Sequence, residues 1–157
     1  MKVTLIWVGK RSESYFEEAI SEYAKRLGRY LPFQVISIPD LKGGAKMDIE
    51  TQKQREGAQI LAALRPADDL VLWDEGGEAF TSAGLADWLS SKMVSGTRNL
   101  VFCIGGPYGF SSDVYRRAGT KLSLSRLTFS HQMVRVIALE QLYRAMTILK
   151  GEPYHHA

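Results

Sequence analysis

Two stretches, Asp69–Trp73 and Asn99–Ile104, run through Val, Leu, Phe and Ile without the polar–apolar alternation of a half-exposed strand. Strands of this kind are buried on both faces, which requires helices above and below them. Helical periodicity separates them along the chain. Strand–helix alternation of this type implies an α/β architecture, a parallel sheet flanked by helices on both faces. The 157 residues suffice for one domain with one core, so residues 1–157 are read as a single domain.

The remaining elements follow from pattern and punctuation. Val3–Val8 reads as a first strand. A helix capped by Ser12 or Ser14 runs to about Tyr30, with Tyr15, Phe16, Ala19, Ile20, Tyr23 and Leu27 on one face. Gln34–Ile38 is a second strand, and Leu41–Asp48, with Lys42-Gly43-Gly44, an open loop. Ile49–Leu64 is a helix stopped by Pro66. After Asp69–Trp73 comes a turn at Glu75-Gly76-Gly77-Glu78, then a helix from Thr81 or Ser82 to about Gly96. Asn99–Ile104 leads into Gly105-Gly106-Pro107-Tyr108-Gly109-Phe110, and Ser111 or Ser112 caps a short helix. Lys121–Leu127 is a short alternating strand. Met133–Lys150 is the last helix, closed by Gly151 with Pro153 beyond.

Ligands of parallel sheets bind beyond the C-terminal strand ends, at a topological switch point. That directs attention to three loops: Trp73-Asp74-Glu75, Gly105–Phe110 and Leu124–Ser130. The glycine loop lacks the spacing of a dinucleotide fingerprint and no Gly-Lys-Ser/Thr follows it, so it is neither that nor a P-loop. Hydroxyl groups from Leu122 to Ser130 can hydrogen-bond a nucleoside, or simply cap the next helix at Thr128 or Ser130. The last helix is apolar nearly all round, which predicts burial on most sides and a subunit interface over part of it. His131 and Arg135, four apart, share one of its faces, and Glu140 and Arg144 are spaced to pair.

Charge is uneven. Residues 1–110 carry 13 Lys+Arg and 14 Asp+Glu, a balance of −1; residues 111–157 carry 7 and 3, a balance of +4. A basic end suits an anionic partner such as RNA, although on charge alone a solvated face is the simpler reading. The tail, Tyr154-His155-His156, offers groups that stack on unpaired bases. One cysteine, Cys103, excludes a disulfide framework within the chain and sits mid-strand, where a structural thiol is expected. No apolar run reaches membrane-span length, and the N-terminus has no signal-peptide pattern. A cytoplasmic bacterial-type protein is the simplest expectation.

Taken together, Phe102–Phe110, Leu122–Phe129 with Ser130-His131-Gln132, and Glu140-Gln141-Leu142-Tyr143-Arg144-Ala145 with Leu149–His155 closely resemble the RlmH family, the SPOUT-class large-subunit rRNA pseudouridine N3-methyltransferases. Val8-Gly9-Lys10, Glu22–Leu27 and Ile38-Pro39-Asp40 fit the same pattern, so the resemblance spans the chain. It implies a parallel sheet whose C-terminal part forms a deep trefoil knot, and a homodimer. It implies S-adenosylmethionine held by Trp73, Gly105, Leu124, Ser125, Arg126, Leu127, Thr128 and Phe129. At Trp73 the family usually has a smaller aliphatic residue. The implied substrate is a pseudouridine of 23S rRNA in the assembled ribosome, with no role for DNA, membrane or metal. Losing the N3 proton calls for a base or a stabilising cation; His131, Arg135, Tyr154 and His155 are the candidates.

Two rival readings remain. A non-catalytic ribosome or RNA-binding factor would use the basic end and leave the cofactor loops without a task. A nucleotide-dependent oxidoreductase is disfavoured by the glycine spacing, and a hydrolase by the lack of Gly-x-Ser-x-Gly.

Overall fold

The computed structural model describes residues 1–9, 12–41 and 46–156. The expected Lys42-Gly43-Gly44 loop and Lys10 of the first motif lie outside the described residues. Among the described residues, five strands, β1 (Lys2–Val8), β2 (Phe33–Ile38), β3 (Asp69–Ala79), β4 (Asn99–Ile104) and β5 (Thr120–Ser123), form one sheet in the order β2-β1-β4-β3-β5. Every pairing is parallel. The helices are α1 (Ser14–Leu27), α2 (Ile49–Ala62), α3 (Ser82–Val94), α4 (Ser112–Arg117) and α5 (His131–Leu149).

Pleating sends alternate residues of each strand to opposite faces. Leu5, Trp7, Val71, Trp73, Leu100 and Phe102 face a core built with α1, α3 and α5. Ile6, Val8, Leu70, Leu72, Val101 and Cys103 face a second core with Ile60 of α2 and Val114 of α4. The sheet is thus covered three helices to two, and burial of both faces explains the unbroken apolar runs. Burial raises the Cys103 thiol well above its ordinary range, so it is inert packing. Among the described residues, no helix is long and apolar enough to cross a membrane.

Several boundaries differ from expectation for identifiable reasons. The Glu75–Glu78 turn is instead a bulge within β3: Trp73 and Glu78 both lie opposite Leu122 of β5, so the intervening residues are pushed out of the ladder. Gly76-Gly77 signals a turn by composition, but a Cβ at Gly77 would stand 2.6 Å from Leu122 backbone atoms. The glycine is there for close approach of two strands. β5 stops at Ser123 rather than Leu127. Ser123 Oγ donates to the Ser125 carbonyl and Leu127 N–H donates to Ser125 Oγ, so hydroxyls take the place of the ladder. α1 ends at Leu27, and neither serine caps it. Its N-cap is Glu13, and Ser12 instead donates to the Glu17 carboxylate. α2 ends at Ala62, short of Leu64. α5 begins earlier than expected, at His131, with Ser130 as its cap.

α5 lies between α1 and α3 in the middle of its layer. That position buries Ala138, Leu139, Leu142, Ala145 and Met146 within one chain. A partner subunit is therefore not needed to explain its apolar composition. Exposed apolar residues remain at its N-terminal end: Met133 is 39% exposed and Leu127, in the loop before it, 72%.

The close approach at Gly77 predicts that Gly77→Val lowers the unfolding free energy by about 2 kcal/mol or more, measured by chemical denaturation. Wild-type stability in that variant would show that β3 and β5 do not meet there.

Candidate functional site

Because β3 sits between β4 and β5, its bulge and the segments leaving β4 and β5 emerge side by side. They enclose a cleft of about 630 Å³ lined by Trp73–Glu75, Ile104–Phe110, Ser123–Ser125 and Leu127–Phe129, with His131 and Val134 from α5. Small-molecule sites fall in the range of roughly 300–1,000 Å³. All three loops expected from the sequence meet in this one cleft. Trp73, Gly105, Leu124, Ser125, Leu127, Thr128 and Phe129 line it; Arg126 is exposed and does not.

Each wall has a local cause. The β3 bulge delivers Asp74 and Glu75, and Asp74 is held by the Tyr115 hydroxyl at 2.9 Å and the Gly76 N–H at 3.2 Å. Both residues are carboxylates, so a ligand bearing positive charge suits this wall. The floor is Trp73, stacked on Phe102 with ring centroids 5.4 Å apart. The β4 loop is a tight turn: Gly109 N–H donates to the Gly106 carbonyl, and Gly109 has φ +81°, a conformation that favours glycine. A Cβ at Gly105 would press on the Phe110 ring at 3.0 Å. The ring, rather than empty cleft, is what Gly105 accommodates.

Of the expected catalytic residues, only His131 lines the cleft. Arg135 lies one turn further along α5 and is buried, 1% exposed, so it does not present to the cleft the stabilising cation expected of it. Its guanidinium lies over the Trp7 ring at 5.0 Å, and Nη2 donates to the Val8 carbonyl at 2.9 Å. The same nitrogen is 2.9 Å from His131 Nε2. His131 Nε2 also lies 3.1 Å from the Val8 carbonyl, so the imidazole, the guanidinium and that carbonyl form one cluster. Arg135 thus orients His131 and ties α5 to the end of β1. Its Nε and Nη1 are buried without a hydrogen-bond partner among the described residues.

The tail lies elsewhere. α5 has 19 residues, which at ~1.5 Å per residue separates its ends by roughly 28 Å. Tyr154 and His155 follow the far end, so one chain does not bring them to His131. Nor is the tail frayed. Tyr154 donates to Glu140 Oε1 at 3.1 Å and packs edge-on against Tyr143; Arg144 pairs with Glu140 and lies 3.2 Å from His155 Nδ1. Tyr30 donates to Glu152 at 2.6 Å. Burial raises the Tyr154 phenol, so it holds its proton at neutral pH.

The basic end is also largely occupied internally. Arg116 pairs with Asp113, Arg144 with Glu140, Arg117 donates to the Arg65 and Asp68 carbonyls, and Arg135 is buried. Lys121 sits over Tyr115. Arg126 and Lys150 are exposed. Sequence reasoning missed Tyr115 and Glu56, discussed below. Mid-helix Gly57 was the one available signal for the latter, since a glycine inside a helix needs a packing reason.

The family model described as "Predicted SPOUT methyltransferase" matches residues 1–155. The chain belongs to the SPOUT methyltransferase family. Similar proteins of known name extend the likeness end to end. The Ribosomal RNA large subunit methyltransferase H of Parabacteroides distasonis is 53% identical over 156 residues, covering 99% of each chain. Those of Porphyromonas gingivalis and Cytophaga hutchinsonii are 51% and 49% identical, over 99% of this chain and 99% and 100% of theirs. Among solved structures, the SpoU methyltransferase AviRb from Streptomyces viridochromogenes, in complex with AdoMet, aligns with a TM-score of 0.47 and 13% identity. That alignment covers 96% of this chain and 61% of the other.

Two outcomes test this description. Arg135→Ala lowers the unfolding free energy by about 2–4 kcal/mol, while Arg135→Met, of similar volume and uncharged, recovers most of the loss; an alanine variant as stable as wild type would contradict the burial. The Tyr30 phenol is pushed up to about 12, chiefly by its hydrogen bond to Glu152. An unfolded tyrosine ionises near pH ~10, so a folded value raised above it gives stability that is complete below pH ~10 and is lost as pH rises through the folded value. The melting temperature falls between pH ~10 and ~12 more steeply in wild type than in Tyr30→Phe. Parallel curves for the two proteins would refute the tail contact.

Proposed function

We propose that this protein is an S-adenosylmethionine-dependent methyltransferase that methylates N3 of a pseudouridine in 23S rRNA of the assembled ribosome, in the cytoplasm. The observation that carries the reading is the cleft at the ends of β3, β4 and β5, in a chain about half identical, end to end, to proteins named for large-subunit rRNA methylation. The lining fits the cofactor: apolar and aromatic walls for an adenine, Ser125 and Thr128 hydroxyls and loop backbone for its polar edges, carboxylates at Asp74 and Glu75 for its positive charges. Trp73, Gly105 and Leu124–Phe129 are the contact residues. Arg126 is exposed and outside the cleft lining, and its place among the contacts rests on the family resemblance. The segment from β4 to α5 is threaded as a deep trefoil knot, as the family resemblance implies.

S-adenosylmethionine supplies an activated methyl group when bound. What the chain must add is alignment of the target nitrogen and relief of its proton. His131 lines the cleft, oriented by Arg135, and serves the reaction there. Tyr154 and His155 reach a cleft only from a second copy. A homodimer in which the tail of one copy packs against the cleft end of α5 in the other, where Leu127, Met133 and Tyr15 are exposed, would provide this arrangement. The starts of α1 and α5, which carry Tyr15 and Met133, are joined by the Glu13 N–H, which donates to Gln132 Oε1. In that dimer Tyr154 stays protonated and positions the base, while His155 Nε2 is the nitrogen not facing Arg144.

Mixed dimers test the composite site. Gly105→Val and Tyr154→Ala are each inactive in methyl transfer from labelled S-adenosylmethionine to ribosomes; refolded together they regain partial activity. Tyr154→Ala alone keeps cofactor affinity. No recovery on mixing, with both variants folded, would place the whole site in one chain. A wild-type protein that binds ribosomes without transferring methyl would support the non-catalytic factor instead.

A further inference from the structure

Two consecutive residues of α2 reach across to the β4 loop. Glu56 is buried, 7% exposed, and Gln52 Nε2, one turn earlier on α2, donates to its Oε2 at 3.2 Å. The carboxylate lies directly against Gly106: a Cβ there would stand 2.6 Å from Oε1 and 3.2 Å from Oε2. Gly57 meets the other end of the same loop, where its own Cβ would stand 2.3 Å from Ser111 Oγ and 3.2 Å from Val114 Cγ2. Gly106 and Ser111 bracket Pro107–Phe110, the segment that walls the cofactor cleft.

Neither residue is explained by α2 as a helix. A buried carboxylate is costly without a use, and glycine weakens a helix interior. The loop also needs a support. Pro107 and Tyr108 line the cofactor cleft on one side, and on the other a second cleft of about 400 Å³ that Glu56 and Gln52 share. Pro107 and Tyr108 therefore border a cleft on each side. Among the described residues, the side chain pressed against its first turn is Glu56.

We propose that Glu56 is a positioning residue for the cofactor loop. Its carboxylate, braced by Gln52, is the stop against which Gly106 rests, and Gly57 fixes the distance to Ser111. The pair sets the shape in which the loop takes S-adenosylmethionine, without touching the cofactor. This inference rests on the proposed function of that cleft.

The test is a double-substitution cycle read by calorimetric titration with S-adenosylmethionine, with melting temperatures recorded alongside. Glu56→Ala weakens binding by about tenfold or more, and so does Gly106→Ala, in which the new methyl meets the carboxylate. Combined, they are not additive: once the carboxylate is gone, Gly106→Ala costs less than about twofold further. Glu56→Gln keeps the shape and the bond partner, so it restores near wild-type affinity. Glu56→Asp, one methylene shorter, behaves like alanine and carries the test if the alanine protein does not fold. A purely structural Glu56 would lower the melting temperature with wild-type affinity, and that result overturns the proposal. Effects that multiply independently in the double variant also overturn it. Wild-type protein that does not bind S-adenosylmethionine removes the cofactor reading itself, and this result is distinct because it appears before any substitution is compared.

Discussion

The site depends on one topological fact: β3 pairs with β4 on one side and β5 on the other, all parallel. Parallel strands send their C-terminal ends to the same edge, and two strands that follow β3 in the chain have been placed around it. Three loops distant in sequence therefore open into one cleft. The β3 bulge belongs to the same constraint. With Trp73 and Glu78 both facing Leu122, the residues between them have nowhere to go but outward, and Asp74 and Glu75 become a wall. Sheet pairing thus decides the electrostatics of the cleft, and the helices on the two faces hold it from behind. α2 acts through Glu56 and Gly57, α5 through His131 and Val134.

Arg135 shows how packing reassigns a charge. Spacing puts it on the His131 face, and in the folded chain that face turns inward at this turn of the helix. The guanidinium meets the Trp7 ring and the Val8 carbonyl, where an arginine suits both a π face and a backbone acceptor. The consequence reaches the cleft, because the same Nη2 holds His131 Nε2. At the other end of α5, Glu140 gathers Arg144 and Tyr154, and Tyr30 secures Glu152, so the tail is fixed about one helix length from the nearer cleft. This separation is what makes a second copy attractive as the source of Tyr154 and His155.

Much of this was legible in the residues. The apolar runs point to the parallel sheet, and the three loops that meet at the cleft are each marked by composition; the last helix, expected over Met133–Lys150 with Thr128 or Ser130 as its cap, begins two residues and ends one residue earlier, with Ser130 as the cap. What escaped has a common cause: it depends on strand order and side-chain contact across long separations. Gly76-Gly77 carries the composition of a turn, yet the proximity of Leu122 is what requires Gly77. Lys121–Leu127 alternates like a strand, but Ser123 and Ser125 satisfy the backbone locally and end it early. The surplus of basic residues after position 110 is real in the sequence, and pairing to Asp113, Glu140 and backbone carbonyls uses much of it. Full apolarity of α5 suggested a partner subunit, whereas a central place between α1 and α3 already covers most of it. Glu56 offered no motif, only a neighbouring glycine in the middle of a helix.

The central claim is that the three loops bind S-adenosylmethionine between them. A crystal structure of the protein grown with S-adenosylmethionine tests it most directly. The account predicts one molecule bounded by Trp73–Glu75, Gly105–Phe110 and Ser123–Phe129, with Gly106 still resting on Glu56. Cofactor density at any other place, with this cleft closed or filled by side chains, would contradict it.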